Sequence, residues 1–310
     1  MNQTLAFVFP GQGSQQLGML SELGEQHPII KETFAVASEG LGYDLWDLIQ
    51  NGPDSDLNST DKTQPALLTS GVALWRLWQQ LGGDTPSILA GHSLGEYTAL
   101  VCADVISLEQ GVKLVKARGE FMQQAVPAGQ GAMAAILGLD DALVEEACAK
   151  AADGDVVSAV NYNSPGQIVI AGSAEAVSRA IALCKEAGAK RAMSLPVSVP
   201  SHCALMQPAA EKLAQVLDQL QINEAKIPVI QNVNAAVSAN LAEIKQNLLA
   251  QLYSPVRWTD TINAMAEQGI ETIIECGPGK VLSGLNKRIQ RSLNVAAIND
   301  AAGFEKALNS

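Results

Sequence analysis

A parallel α/β sheet, interrupted once by a small antiparallel unit, is the fold class the sequence predicts. Three observations lead there. Short apolar runs alternate with helical segments through most of the chain, which implies a parallel sheet covered on both faces. Between residues 129 and 196 the order changes to βαββαβ. And a short buried run, Ser87–Ala90, passes through Gly91-x-Ser93-x-Gly95 into a helical run, Leu94–Ala103, a sharp strand-to-helix turn of the kind that exposes a nucleophile.

In chain order, Leu5–Phe9 is an apolar strand, followed by the loop Pro10-Gly11-Gln12-Gly13-Ser14-Gln15. Gly11-x-Gly13 fails as a dinucleotide fingerprint, because position 16 is Gln16 rather than glycine. Helices are expected around 17–26, 28–40 and 44–50, with Pro28 suited to a first helical position and Gly40 and Gly42 to an end. Gln64-Pro65 is expected to open a long apolar helix ending at Gly82-Gly83. Ser107-x-x-Gln110 reads as a capping box for a helix running to about Ala125.

The stretch 129–196 then supplies a strand (132–137), a helix (142–152), two strands (156–161 and 167–171) joined by Asn163-Ser164-Pro165-Gly166, a helix (174–187) and a strand (190–195). That is the order of a ferredoxin-like unit. Residues 1–128 and 197–310 form the discontinuous main domain, and 129–196 an inserted small subdomain closing one side of a cleft. In the main domain, 194–199 is extended and Pro200-Ser201-His202 starts a helix with Ser201 as its cap. Strands at 227–233, 271–276 and 294–298 and helices at 241–251, 258–268 and 281–290 complete it.

Composition narrows the function. The 310 residues are 47 % hydrophobic, enough for one large domain or two unequal ones. A net charge of −12 argues against nucleic acid as a partner, since binding it needs a basic surface. No apolar run approaches a membrane-spanning length. The N-terminal residues lack a basic stretch followed by an apolar one, so no export signal is expected and the cytoplasm is the default compartment. The five cysteines are scattered and the three histidines show no ligand spacing, so neither disulfides nor a metal site is expected.

The chemistry centres on Ser93. Glycine at 91 and 95 allows the turn, and Ser93 stands at a helix N-terminus, where free N–H groups and the dipole favour negative charge. A serine hydroxyl needs a base, usually histidine. His27 precedes Pro28 in an early turn. His92 adjoins Ser93, and adjacent side chains there point different ways, so it lines the site or packs beneath it. His202 is expected to begin a helix just after a strand of the main sheet, at that strand's C-terminal end where catalytic groups gather, and is the preferred base. No acid is evident as the third member of a triad, and whether an acid or a backbone carbonyl orients the imidazole stays open. Arg118 falls in line with Leu108, Gly111, Val115 and Met122 on its helix. Helix geometry leaves two accounts open: an edge arginine reaching solvent, or a partly buried guanidinium that needs an anion.

Phe9-Pro10-Gly11-Gln12-Gly13-Ser14-Gln15, Thr63-Gln64-Pro65-Ala66, Gly91-His92-Ser93-Leu94-Gly95-Glu96-Tyr97, Asn161-Tyr162-Asn163-Ser164-Pro165-Gly166-Gln167, Val199-Pro200-Ser201-His202 and Glu275-Cys276-Gly277-Pro278-Gly279 occur in this order. With these motifs the chain resembles the malonyl-CoA:acyl carrier protein transacylases of bacterial type II fatty-acid synthesis, over nearly its whole length. The resemblance implies an α/β-hydrolase-like core and a Ser93–His202 dyad. It also implies ping-pong transfer of malonyl from coenzyme A to the phosphopantetheine thiol of holo acyl carrier protein, with no cofactor. It implies an oxyanion hole from the N–H groups of Gln12 and Leu94, and Arg118 holding the free carboxylate of malonate as a bidentate pair. Gln251 would orient His202 through its carbonyl, and Asn163 would line the cleft.

Leu94 after the nucleophile favours malonyl over methylmalonyl, because relatives that take methylmalonyl often carry glutamine there. A monomer is expected. Carrier proteins of this type are acidic, so docking calls for a local basic patch, with Lys190, Arg191, Lys280, Lys287 and Arg288 as candidates. Two other functions stay open: a serine hydrolase or thioesterase of the α/β type, and a non-catalytic module that binds carrier proteins.

Overall fold

The computed structural model describes residues 1–197 and 199–309. Among the described residues, ten strands form two sheets. β1 (Asn2–Phe9), β2 (Pro86–Gly91), β3 (Gly131–Leu137), β4 (Val157–Ser164), β5 (Gln167–Ser173), β6 (Arg191–Ser194), β7 (Val229–Gln231), β8 (Ala236–Val237), β9 (Thr272–Glu275) and β10 (Asn294–Ala297) follow in chain order. The larger sheet has the order β10-β9-β1-β2-β7-β8. It is parallel except for β8, which pairs antiparallel with β7 at the edge.

β1 is buried on both faces from Leu5 to Phe9, as a central strand of a covered parallel sheet must be. On one face Phe7 meets Trp75 edge-on at 5.2 Å, so the Thr60–Gln80 helix packs on the sheet through aromatic contact. On the other, Ala6, Val8 and Ile88 pack with Trp258, Ile262 and Leu285.

The smaller sheet has the order β4-β5-β3-β6, with every pair antiparallel. The helices Asp141–Ala152 and Ala174–Glu186 cover one face, burying Val144, Ala147, Val177 and Ala180 against Ala134, Ile136, Ile168 and Ile170. The expected βαββαβ order is what the chain forms. Backbone bonds tie the small sheet to the main domain just before the Trp258–Glu267 helix: Tyr162 N–H donates to Val256 O at 3.0 Å, and Val256 N–H to Val160 O at 2.9 Å. On the small sheet's other face, Met133, Val160, Val169 and Ala171 pack with Cys203 of the main domain.

Several expectations need correction. The long helix opens at Thr60, after Ser59, so Pro65 sits inside it rather than at its start. The local cost of an interior proline is borne by burial, since Thr63–Trp75 is enclosed by neighbouring elements. Ser201 caps no helix: His202 occupies a left-handed turn at φ +66°, and the next α-helix, Gln207–Gln219, follows a single 3₁₀ turn at Ala204–Met206. Of the extended run expected at 194–199, Ser198 lies outside the described residues. Among its described residues only the first is strand, in β6 of the small sheet, and none of them belongs to a main-sheet strand leading into His202. The hairpin strand β8 and the helices Asp54–Leu57 and Ala301–Leu308 were not anticipated; all are short, and short elements carry too few periods to register in sequence.

The elbow joins β2 to the Leu94–Cys102 helix, and Ser93 takes φ +53°, a region that strains a non-glycine residue. Its two glycines are sterically required. A Cβ on Gly95 would lie 2.0 Å from Phe9 O, and one on Gly91 would lie 1.8 Å from the Gly95 carbonyl carbon. Because those neighbours are backbone, they cannot turn aside. Gly95→Ala should therefore lower stability by about 3 kcal/mol, the upper range for overpacking a tight site, as measured by denaturant titration. A loss below about 0.5 kcal/mol, the range of surface substitutions, would contradict this account.

Candidate active site

The parallel strands end together. Phe9 pairs with Gly91, Val8 with Glu275 and Ala90 with Ile230, so the loops after β1, β2, β7 and β9 meet at one edge. In open α/β sheets this carboxyl edge is where ligands bind. A cleft of about 550 Å³ opens there, with Gln12, Ser93, Leu94, Arg118 and His202 on the main-domain side and Met133, Asn161, Asn163 and Val169 on the small-sheet side.

The elbow presents Ser93 Oγ to His202 Nε2 at 2.8 Å. His202 Nδ1 lies 2.7 Å from the backbone carbonyl of Gln251. A carbonyl only accepts, so Nδ1 carries the hydrogen, Nε2 is the free base, and the Ser93 hydroxyl donates to it. The group facing Nδ1 is thus a carbonyl on the Leu241–Tyr253 helix rather than an acid. The His202 backbone N–H also donates to Leu252 O at 2.9 Å, which anchors the turn to the same helix.

Arg118 is 1 % exposed, so the sequence account of an edge arginine reaching solvent does not hold. Nη1 donates to Gln64 Oε1 and Nη2 to Gln251 Oε1, each at 2.9 Å, and Nη2 lies 3.4 Å from Ser93 Oγ. The guanidinium sits over the Tyr97 ring at 5.2 Å. Nε is buried without a hydrogen-bond partner, and no carboxylate of the described residues forms an ion pair with Arg118. This is a desolvated cation held by neutral amides beside a nucleophile.

Burial, reinforced by the nearby Arg118 charge, pushes the His202 pKa down to about 3. The ring therefore stays neutral at neutral pH and can accept a proton. His92 both lines the cleft and packs beneath it: Nε2 lies 2.7 Å from Asn163 Oδ1, and its ring stacks obliquely on Trp258 at 5.5 Å. Desolvation lowers its pKa too.

Every site residue named from sequence thus borders one cleft or its floor. Three supporting residues were not foreseen. Gln64 stood in a quoted motif without a role. Asn232 accepts the Ser93 N–H at Oδ1, 2.7 Å, and donates to Gly91 O at 2.7 Å. Glu96 lies fully buried and accepts from the Asn232 backbone N–H at 2.7 Å. Of the basic candidates, Arg288 donates to Gln167 Oε1 at 2.7 Å across the seam between the sheets, and Lys287 is tied to the carbonyls of Arg291 and Leu293. All five cysteines are unpaired and buried, and no group of metal-ligating side chains occurs among the described residues. No helix is long and apolar enough to cross a membrane, among the described residues.

Comparison with known proteins gives a consistent result. The acyl transferase domain model matches residues 6–303. The malonyl CoA-acyl carrier protein transacylase of Salmonella typhimurium is 58 % identical over 303 residues, 98 % of each chain. That of Bacillus subtilis is 50 % identical over 307 residues, 99 % of this chain and 96 % of that one. The crystal structure of an acyl carrier protein S-malonyltransferase from Vibrio cholerae superposes with a TM-score of 0.96 at 61 % identity, covering 98 % of this chain and 99 % of that one. A malonyl-transacylase in complex with its type II PKS acyl-carrier protein superposes with a TM-score of 0.97 at 55 % identity, covering 98 % of this chain and 99 % of that one.

The geometry makes a direct expectation for the base. At about pH 5, where an ordinary histidine of pKa near 6.5 is mostly protonated, His202 should still be neutral with its proton on Nδ1. Nitrogen chemical shifts of labelled histidine rings read this directly. A doubly protonated His202 ring at that pH would contradict the arrangement.

Proposed function

The chain belongs to the acyl transferase family, and we propose that it transfers malonyl from coenzyme A to the phosphopantetheine thiol of holo acyl carrier protein, in fatty-acid synthesis. The observation that carries this reading is Arg118: a buried cation with no anionic partner, one hydrogen-bond length from the nucleophile. A substrate that brings its own free carboxylate supplies the missing charge. Malonyl thioester does so, and acetyl thioester does not.

The steps follow from the groups present. Ser93 Oγ attacks the thioester carbonyl while His202 Nε2 takes its proton. The oxyanion is stabilised by the N–H groups of Gln12 and Leu94, the latter opening the helix after the elbow. Collapse breaks the C–S bond, and the departing thiolate of coenzyme A takes the proton from His202. Malonyl now sits on Ser93 as an ester, its carboxylate on Arg118. The phosphopantetheine thiol then gives its proton to His202 and attacks the ester. Ser93 Oγ leaves and recovers the proton. One base serves both halves, and the Gln251 carbonyl steadies the imidazolium in each. Asn163, through His92, shapes the opposite wall of the cleft.

One chain supplies every group, so a monomer suffices, and the cytoplasm is the compartment this reading expects. The carrier protein docks at the cleft mouth, beside the Val281–Ile289 helix that carries Lys287 and Arg288. Charge reversal at Arg288 should raise KM for the carrier protein in the second half-reaction and leave acylation by malonyl-CoA nearly unchanged. Equal effects on both halves would place the docking surface elsewhere.

Mass spectrometry after mixing with malonyl-CoA tests the core of the reading: Ser93 should carry a malonyl ester, and Ser93→Ala none. Release of free malonate without transfer to added thiol would make the protein a hydrolase instead. Arg118→Ala should lower kcat/KM for malonyl by roughly a hundred-fold, about 3 kcal/mol for a lost charged hydrogen-bond partner. The malonyl-to-acetyl ratio should fall with it. An unchanged ratio would remove the carboxylate clamp.

A further inference from the structure

Glu96 lies three residues beyond Ser93 on the Leu94–Cys102 helix and is fully buried. Its carboxylate meets only donors. Oε1 accepts from Gln231 Nε2 at 3.0 Å, and Oε2 accepts from the Asn232 backbone N–H at 2.7 Å and Gln251 Nε2 at 3.1 Å. Two of these donors belong to residues that touch the reacting centre. Asn232 holds the Ser93 N–H and the Gly91 carbonyl, on either side of the elbow's turn. Gln251 does more. Its NH₂ donates to Ser93 O at 3.1 Å, its amide oxygen accepts from Arg118 Nη2 at 2.9 Å, and its backbone carbonyl orients His202 at 2.7 Å.

A glutamine amide can turn over, exchanging its oxygen and NH₂ at little intrinsic cost. Turned over, Gln251 would aim an NH₂ at the guanidinium, donor against donor, while its oxygen faced the Ser93 carbonyl. An acceptor at Glu96 that requires the NH₂ forbids that state. We propose that Glu96 is a positioning residue for malonyl transfer. Its carboxylate locks the Gln251 amide in the orientation that holds Arg118 beside Ser93, and anchors Asn232 beneath the elbow. The proposal rests on the malonyl-transfer reading and adds a residue that touches no substrate.

Charge gives the proposal a signature. Burial pushes the Glu96 pKa up to about 7, opposed by its three hydrogen bonds and by Arg118. Arg118 is the charged group facing it from the packed elements, Tyr97 is its titratable neighbour on the same helix, and Gln231, Asn232 and Gln251 are neutral. Protonation below that pH puts an O–H among three donors and frees Gln251 to turn. His202, pushed down to about 3, does not titrate in this window.

The test uses the full chain and the rate of Ser93 acylation by malonyl-CoA and by acetyl-CoA, from about pH 5.5 to about pH 8.5 so that both limbs are sampled. Glu96→Gln keeps the shape but turns one acceptor into a donor; Glu96→Asp keeps the charge one methylene short. Glu96→Gln should slow malonyl acylation by roughly up to a hundred-fold, as small misplacements at an active site do. It should slow acetyl acylation much less. The malonyl-to-acetyl ratio of the parent should drop as pH falls through about 7. That inflection should vanish in Glu96→Gln and return in part in Glu96→Asp. A folded Glu96→Gln protein with the parent's ratio and pH profile overturns the proposal. If neither variant folds, the parent profile decides, and a ratio flat through about pH 7 overturns it equally. A parent protein that forms no adduct on Ser93 removes the functional reading and this proposal together, whereas a parent adduct with an indifferent Glu96→Gln removes this proposal alone.

Discussion

Burying Arg118 without a carboxylate is the constraint on which the site depends. Taking a guanidinium out of water costs several kcal/mol even after relaxation, and that cost is normally offset by a paired anion. Here two amide oxygens, one hydroxyl and an aromatic face share the task. They leave Nε without a partner and the charge unmet. On the proposed reading the unmet charge makes the site selective: a ligand carboxylate completes the pair, and a neutral acyl group leaves it incomplete. The same cation lowers the His202 pKa and opposes the rise of Glu96, so base, clamp and floor are electrostatically one unit.

The fold makes that unit possible by convergence. Arg118 comes from the Leu108–Ala125 helix, Gln64 from Thr60–Gln80, Gln251 from Leu241–Tyr253 and Ser93 from the elbow. No two of these are neighbours in sequence, yet each is buried on a packed helix or held in a strained turn. Rigid elements of this kind fix angles as well as distances. The small sheet contributes the opposite wall, joined through the Asn161–Val256 bridge and the contact from Asn163 to His92.

Legibility in the sequence divides along the same line. Local patterns were readable: the two glycines of the elbow, the Ser107 cap that accepts from Gln110 N–H, and the βαββαβ run each state their structure within a few residues. Arg118 was readable only as a choice, because a helical stripe shows which way a side chain points but not what covers it. His202 was found for a partly mistaken reason. It follows a strand of the small sheet, not the main one, and lies in a left-handed turn that no residue type announces. The Gln251 contact to His202 was beyond composition or spacing, since a backbone carbonyl is the same in every residue; the resemblance alone pointed to it. Glu96 and Asn232 form a network whose members meet only after the sheet has closed, and polar residues on buried faces leave no periodic mark.

Two of the buried titratable groups, His202 and Glu96, pull stability in opposite directions with pH. His202 is held neutral, its pKa moved from 6.5 down to about 3, so the unfolded chain binds more protons between those values. Its contribution to stability is therefore full above about pH 6.5 and is lost as pH falls through that window. Glu96 is displaced upward, from 4.5 to about 7, so the folded chain holds the extra proton there. Its contribution is full below the lower value and is lost as pH rises through the window. Between 4.5 and 6.5 the slopes of these two groups oppose each other. Above that overlap, of the two, Glu96 continues to ionise, and its carboxylate forms at the expense of stability. Strain at a functional site is commonly arranged this way, with the surrounding structure holding a group in a state it would not choose alone. The large covered sheet provides that surplus, and the cleft at its carboxyl edge is where it is spent.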